Sequence, residues 1–468
     1  MTKRQIKNLL SHYTLAPLLG LFIVAWLLSG IVMLFVPFPE LEDLEKELFS
    51  LPIRSEELRN FAPKLGTTKS LTITKQLGAI SSNRKPIQLS IEKVDARIRA
   101  FFKSYDVTYL GQSYNDQWTV HGRYNQHRPL LTWQIHDENE RVIYVSSYNG
   151  QIVQDTTQHE RIWNYVGAVL HWIYATPIRE KRDFWVYLVN LLTLAAWWMT
   201  ALGFLRGWKL LRIRRRYRKK KISPFWNSLK YHHIMGVFFG FFIMTWLFSG
   251  FLSMSPFAFM AEPQITATER TALVGGKWKA SDVTQVRHLI EEYKNEIDRL
   301  KPWKVIFRIS LGAPIIEIFS KNGRQIFSAE SFSARDSVTV LEELHLGLDA
   351  KVDLIQHYDI SYSSARLPLP VFRIQLQDAE ETWYEVDART GVIVQKSHWY
   401  SRLDHWLFKG LHTFDFGHNK QWDWLRKLII VVISMLSLGL IGAGFYSFGL
   451  KAMKKISLAK SAFLPRKS

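Results

Sequence analysis

The chain contains no cysteine among its 468 residues. That excludes disulfides, thiolate-bound zinc, cysteine-ligated iron–sulfur clusters and covalent CxxCH attachment of a haem. Any redox cofactor must be held non-covalently, and histidine becomes its expected ligand. Acidic residues are missing from three segments. Residues 1–12, 206–230 and 451–468 carry three, eleven and six Lys or Arg and no Asp or Glu. Together these equal the whole net charge of +20, so the rest of the chain is balanced. A nicotinamide or flavin fingerprint is missing as well. Gly439, Gly442 and Gly444 are in the wrong order for a dinucleotide loop and lie inside an apolar run.

Four long apolar runs are present, at about 13–36, 184–205, 234–255 and 428–450. Each is long enough to cross a bilayer, which takes roughly 20 residues. Short loops rich in Lys and Arg stay in the cytoplasm. The chain is therefore expected to divide into a cytoplasmic N-terminus with the first span (1–37), an outer domain (38–183), a second span (184–205), a basic cytoplasmic loop (206–231), a third span (232–255), a second outer domain (256–425), a fourth span (426–450) and a basic cytoplasmic tail (451–468). Pro37-Phe38-Pro39-Glu40 follows the first run where a cleavage site would stand, so the run reads as a retained span. Topology accounts for the basic loop, and no nucleic-acid partner is expected.

The chain says much of this twice. HYTLAPLLGLFIVAWLLSG at 12–30 and HHIMGVFFGFFIMTWLFSG at 232–250 match at a shift of 220. His12 falls on His232, Gly20 on Gly240, Trp26 on Trp246 and Ser29-Gly30 on Ser249-Gly250. At a shift of 241, Pro129 falls on Pro370, Asp137 on Asp378, Gly150 on Gly391, Arg161 on Arg402, and Leu170-His171 on Leu411-His412. Repeats decide the fold reading before anything else. The expected fold is a membrane α-helical protein of four transmembrane helices in two tandem pseudo-symmetric repeats, with two extracytoplasmic α+β modules.

Within the first outer segment, 91–103 has helical spacing, and the runs QWTVHGRY, LLTWQIHD, RVIYVSS and QIVQ alternate like strands. Asn149-Gly150 between two such runs signals a hairpin. The second segment repeats this with FRIQLQD, TWYEVDA and VIVQ, and adds KVIFRISL and PIIEIFS. TWYEVDARTGVIVQ, then an Arg, then Leu-His and a span, resembles the PepSY domain and its associated transmembrane helices. The resemblance covers nearly the whole chain. It implies an iron-related inner-membrane protein with PepSY modules in the periplasm. The best-understood relatives are ferri-siderophore reductases that carry b-type haem between their helices, whereas soluble PepSY domains are linked to peptidase inhibition.

Fifteen histidines occur. Those in the polar segments lack paired metal spacing and read as surface or structural residues. His12 and His232 each open a span, where ionisable groups are costly and tend to be functional. His233 competes with His232, but its counterpart Tyr13 cannot play the same part. His171 and His412 lie in apolar runs just before a span; His405 aligns with Asn164 and is weaker. Two copies of one orientation are related by an axis along the membrane normal. Such an axis pairs His12 with His232 and His171 with His412 at two depths. Each pair then supplies both axial ligands of one haem, giving two non-covalent bis-histidine b haems. Pairing within a copy, His12 with His171, requires one common depth. Gly20, Gly30, Gly203, Gly240, Gly250, Gly442 and Gly444 suit close helix or macrocycle approach. Arg161 and Arg402 are candidates for haem propionates or lipid phosphate.

The expectation is a transmembrane electron carrier in the bacterial inner membrane. Its donor is a cytoplasmic protein or a membrane quinol, and its acceptor a ferric siderophore or other ferric chelate. The competing class is a membrane-anchored PepSY module that binds a periplasmic peptidase or peptide. A transporter is disfavoured because no acid lies inside a span.

Overall fold

In the computed structural model, the residues described are 11–61, 65, 70–82, 90–213, 222–257, 263–274, 277–337, 340, 350–362, 367–416 and 422–463. The N-terminal Lys3, Arg4 and Lys7, the basic run 214–221, Arg466, Lys467, His345 and His418 lie outside them. The chain divides into two compact units.

One unit comprises Met1–Phe38, Trp163–Met260 and Leu403–Ser468. Its frame is four long helices: α1 (His12–Met33), α2 (Arg182–Ile213), α3 (Asn227–Leu252) and α4 (Asp423–Phe463). All four are long and apolar enough to cross a membrane. Their ends extend beyond the apolar runs because polar residues continue the helical hydrogen bonding. Leu18, Leu21, Phe238, Phe241, Leu428 and Met435 point outward and are exposed, as lipid-facing residues are. Inside, Leu19, Ile23, Leu27, Ala196, Met199, Ile243, Leu247 and Leu440 form the core. Helix α1 packs on α2 and α4, and α3 packs on the same two, so the helices close a ring.

The other unit comprises Pro39–Ile162 and Ala261–Arg402. It holds three antiparallel sheets. Strands β3 (Val107–Ser113), β4 (Leu130–Ile135), β5 (Arg141–Ser146) and β6 (Ile152–Thr156) form one in chain order. Strands β10 (Ala350–Ile355), β11 (Val371–Leu376), β12 (Trp383–Asp387) and β13 (Ile393–Ser397) form a second of the same order. The helix Ile91–Phe101 begins at Ser90, whose hydroxyl accepts from the Lys93 amide, and buries Val94 and Ile98 against Leu131, Trp133 and Ile143. Gly150 and Gly391 close their hairpins with φ of +68° and +66°, a backbone region that favours glycine.

The run QWTVHGRY is not a strand. Asp116 accepts from the amides of Trp118 and Thr119 and from the Thr119 hydroxyl, and this local turn wins over extension. The edge is instead β3, whose weak alternation hid it. The third sheet has the order β2 (Ala79–Ser82), β1 (Ser70–Gln76), β7 (Lys304–Ser310), β8 (Ala313–Ser320), β9 (Gly323–Ser328). KVIFRISL and PIIEIFS are β7 and β8, but β1 and β2 come from the first outer segment. Ile73 pairs with Val305 and Leu71 with Phe307. A single core of Leu58, Leu71, Ile73, Val286, Ile297, Val305 and Ile316 joins residues from both segments.

Candidate functional site

His12 stands at the first turn of α1 and His232 near the first turn of α3. These helices lie on opposite sides of the ring. The two imidazoles nevertheless meet, with ring centroids 6.2 Å apart and planes at 40°. His12 Nδ1–H donates to the Met199 carbonyl of α2 at 3.1 Å. His232 Nδ1–H donates to the Leu440 carbonyl of α4 at 3.0 Å. A carbonyl only accepts, so both rings carry their proton on Nδ1. Nε2 of each has no hydrogen-bond partner among the described residues.

Glycine makes this approach possible. A Cβ on Gly203 would lie 2.8 Å from His12 Cε1, and one on Gly444 would lie 2.9 Å from His232 Cε1. His233 is placed differently. Its Nε2–H donates to the Gly207 carbonyl at 3.0 Å, and its Nδ1 accepts from the Ser223 hydroxyl at 2.9 Å. Both its nitrogens are used, which leaves His232 as the residue with a free one.

The second pair is His171 and His412, with ring centroids 6.1 Å apart and planes at 76°. Each follows a π-helical turn, Tyr165–Val169 and Trp406–Gly410. The wider turn re-aims the residues after it and is frequent at functional sites. Gly167 lets the first turn pack closely, since a Cβ there would lie 3.0 Å from the Val32 side chain. His171 Nδ1–H is shared between the Trp26 carbonyl and Ser29 Oγ, both at 3.1 Å. His412 Nδ1–H is shared between the Trp246 carbonyl at 3.2 Å and Ser249 Oγ at 3.0 Å. Ser29 and Ser249 accept here because their own hydroxyls donate down the helix, to the Ala25 and Thr245 carbonyls. Again neither Nε2 has a hydrogen-bond partner among the described residues. The Trp246 indole N–H, on the same turn, is buried with no hydrogen-bond partner.

Ser29 is seventeen residues beyond His12 on a continuous helix, so the two pairs are separated by about 25 Å along α1. His12 is not brought to His171, nor His232 to His412. Around the first pair lies a cleft of about 440 Å³. Ala16, Ile23, Phe204, Ile243 and Phe445 give it apolar walls, and no carboxylate lines it among the described residues. Arg206, Lys209 and Lys451 line it too; in the sequence they stand out only as topology charges.

Arg161 and Arg402 belong to the sheet unit. Arg161 donates to the carbonyls of Thr156 at 2.9 Å and Glu140 at 2.7 Å. Arg402 donates to the Glu381 carbonyl at 2.8 Å and carboxylate at 3.2 Å, with its guanidinium 3.9 Å over the Trp383 ring. Both fasten a helix start to a hairpin. This use of their donors gives no support to a propionate-binding role. His405 lies on Trp399–His405, ahead of the π turn, and Asn164, its counterpart, donates to the Pro37 carbonyl.

No group of three or more His, Cys, Asp or Glu suited to a bare metal ion occurs among the described residues. The family model of the PepSY-associated TM region matches residues 9–451, nearly the whole chain. The chain belongs to that family, and it is a multi-pass membrane protein with added sheet structure. Comparison with curated proteins found no match.

Proposed function

We propose that this PepSY-associated membrane protein is a two-haem electron carrier that reduces an extracytoplasmic ferric chelate, of the siderophore class. The carrying observation is the pair geometry, seen twice. The ring centroids of the two pairs stand 6.2 and 6.1 Å apart, a spacing at which two imidazoles would hold one metal between them at metal–nitrogen distances of about 2 Å. A bare metal needs three or four protein ligands, and each site offers two. A macrocycle that brings its own in-plane nitrogens needs only two. The absence of cysteine agrees with non-covalent, b-type binding.

Such a cofactor, when bound, supplies reversible one-electron chemistry. The chain's own residues supply the rest. Backbone carbonyls fix the Nδ1–H tautomer, aim Nε2 inward and raise its basicity. Glycines at 203, 444, 30 and 250 leave room beside each ring. Apolar side chains make up most of the cleft around the first pair. By the charge rule, both termini and the loop at 206–231 are cytoplasmic in the bacterial inner membrane, and the sheet unit is periplasmic. His12 and His232 would hold the haem nearer a cytoplasmic or quinol donor, and His171 and His412 the haem nearer the acceptor.

The test is the visible spectrum of the purified protein, before and after dithionite. Two low-spin b haems per chain are expected. A colourless protein, even after haem supplementation, overturns the reading in favour of a membrane-anchored PepSY binding module. His12→Ala and His171→Ala should each remove one haem, and not the same one.

A further inference from the structure

Arg206 and Lys209 stand three residues apart on α2, and so on one face of that helix. Lys451 comes from α4. All three line the cleft that holds His12 and His232. The Arg206 guanidinium lies 5.9 Å and the Lys451 ammonium 5.4 Å from the Tyr13 ring centroid. Two cations are thus drawn to one aromatic ring. No ion pair joins any of the three to a carboxylate among the described residues. Like charges gathered at the edge of an apolar cleft repel one another, and an anion seated between them relieves that repulsion.

We propose that Arg206 and Lys451 beside Tyr13, with Lys209 on the Arg206 face of α2, form a carboxylate-binding subsite for the acid groups of the molecule that His12 and His232 ligate. This rests on the haem reading above and adds the orientation of the ligand: acid edge toward the three cations, apolar body along Ile23 and Ile243. The cleft lining is amphiphilic in the same sense, with three basic side chains among mostly apolar ones. The three basic residues also carry charge where an anionic lipid headgroup would sit; their position in the lining of the histidine cleft favours the macrocycle's carboxylates.

The experiment uses the full chain with His171→Ala, so that only the first pair is read. Ferric protoporphyrin IX and its dimethyl ester are titrated separately and followed at the Soret band. The free acid should bind at least tenfold more tightly than the ester. In Arg206→Gln/Lys209→Gln/Lys451→Gln that advantage should fall below threefold, with ester binding unchanged. Metal-free protoporphyrin IX, which keeps its carboxylates but takes no axial ligand, is titrated in parallel by fluorescence. Its affinity should fall in the triple variant and survive in His12→Ala. An acid-over-ester ratio equal in parent and triple variant overturns the subsite while leaving the haem reading intact. So does a triple variant that loses only co-purifying anionic phospholipid. Failure of the parent to bind either iron porphyrin, with or without the three cations, overturns the haem reading and the subsite together. Should the triple variant not fold, Lys451→Gln and Arg206→Lys replace it: the first should lower the ratio and the second preserve it.

Discussion

His12 and His232 ride on continuous helices, whereas His171 and His412 follow π-helical turns. The first pair is held by one carbonyl per ring, each from a neighbouring helix. The second is held by a carbonyl and a serine hydroxyl from the helix it faces. A Cβ on the facing glycine would stand 2.8 and 2.9 Å from the rings of the first pair, and 3.3 and 3.6 Å from those of the second. The same centroid spacing is therefore reached in two ways. At the first pair, rigid helices need missing side chains to let the rings in. At the second, an altered helical turn re-aims the ring, and hydrogen bonds finish the placement.

That contrast can be broken most severely at His232 and His233. His232→Ala should cost one haem of two, measured by pyridine haemochrome per chain. His233→Ala should leave both haems and cost about 1–3 kcal/mol of thermal stability, since it strips buried hydrogen bonds at Ser223 and Gly207. Equal haem loss in both variants would erase the distinction between the neighbours.

The next effect is steric. Gly203→Ala or Gly444→Ala should displace the facing ring at about 1–3 kcal/mol, a roughly fivefold to hundredfold loss of haem affinity at the first pair. Gly250→Ala should lower affinity at the second pair by less than about threefold, because a Cβ 3.6 Å from His412 is ordinary packing, and Gly30→Ala, with a Cβ 3.3 Å from His171, should fall between the two cases. Competitive haem transfer to apomyoglobin measures both. The reverse ranking would mean that the rings, not the glycines, do the yielding.

Serine gives a smaller effect. Ser29→Ala or Ser249→Ala removes one of two acceptors for a shared N–H and should cost about 0.5–1.5 kcal/mol. With less electron donation to Nε2, the midpoint potential of the second haem should rise while that of the first stays put. Potentiometric titration resolves the two; an equal rise at both would place the serines' influence outside the second pair.

The smallest effect lies in the two matched sheets. Asp155 and Lys396 occupy equivalent positions, 241 residues apart. Burial pushes the Asp155 carboxyl up to about 7, helped by Glu45 and opposed by Arg141. Its folded pKa lies above the unfolded value, so its stabilising contribution is complete below about pH 4 and is lost as pH rises to about 7. Lys396 instead pairs with Glu269 at 2.7 Å. Burial alone would raise Glu269, but Lys396, Thr266 and Tyr384 hold it down at about 2. That contribution is present above about pH 4.5 and vanishes only as pH falls through about 2. Asp155→Asn should therefore flatten the dependence of melting temperature between pH 5 and pH 8, and Lys396→Gln should leave it unchanged there.

The spans were legible because lipid demands long apolar runs, and their ends were not, because helices continue into polar sequence. The hairpins at Gly150 and Gly391 were legible because positive φ leaves few residue choices. The four histidines were singled out by repetition and by their places at or just before a span, and the structure brings them into two pairs. Their carbonyl partners at 199, 440, 26 and 246 had no signal as acceptors, since every residue carries a carbonyl; Trp26 and Trp246 stood in the repeat by their side chains only. Ser29 and Ser249 did stand in the repeat, but a serine in a helix usually bonds its own backbone, which these also do. Arg161 and Arg402 were singled out by the same repetition; it marks a preserved contact without saying whether that contact holds a ligand or a hairpin.

Strand β1 pairs with β7 across more than two hundred residues, and α2 and α3 lie between them in the chain. A hydrogen-bonded sheet cannot straddle a bilayer. Residues 70–76 and 304–310 must therefore emerge on one face, so α2 and α3 either both cross or both fail to cross. Biosynthesis inherits an order from this. The β1–β2 hairpin has an open edge until two further helices have been made and the second segment has reached the same face. A chain stopped after α3 would present that edge to any passing strand, so quality control of this protein should hinge on the second half arriving, not on the first half folding.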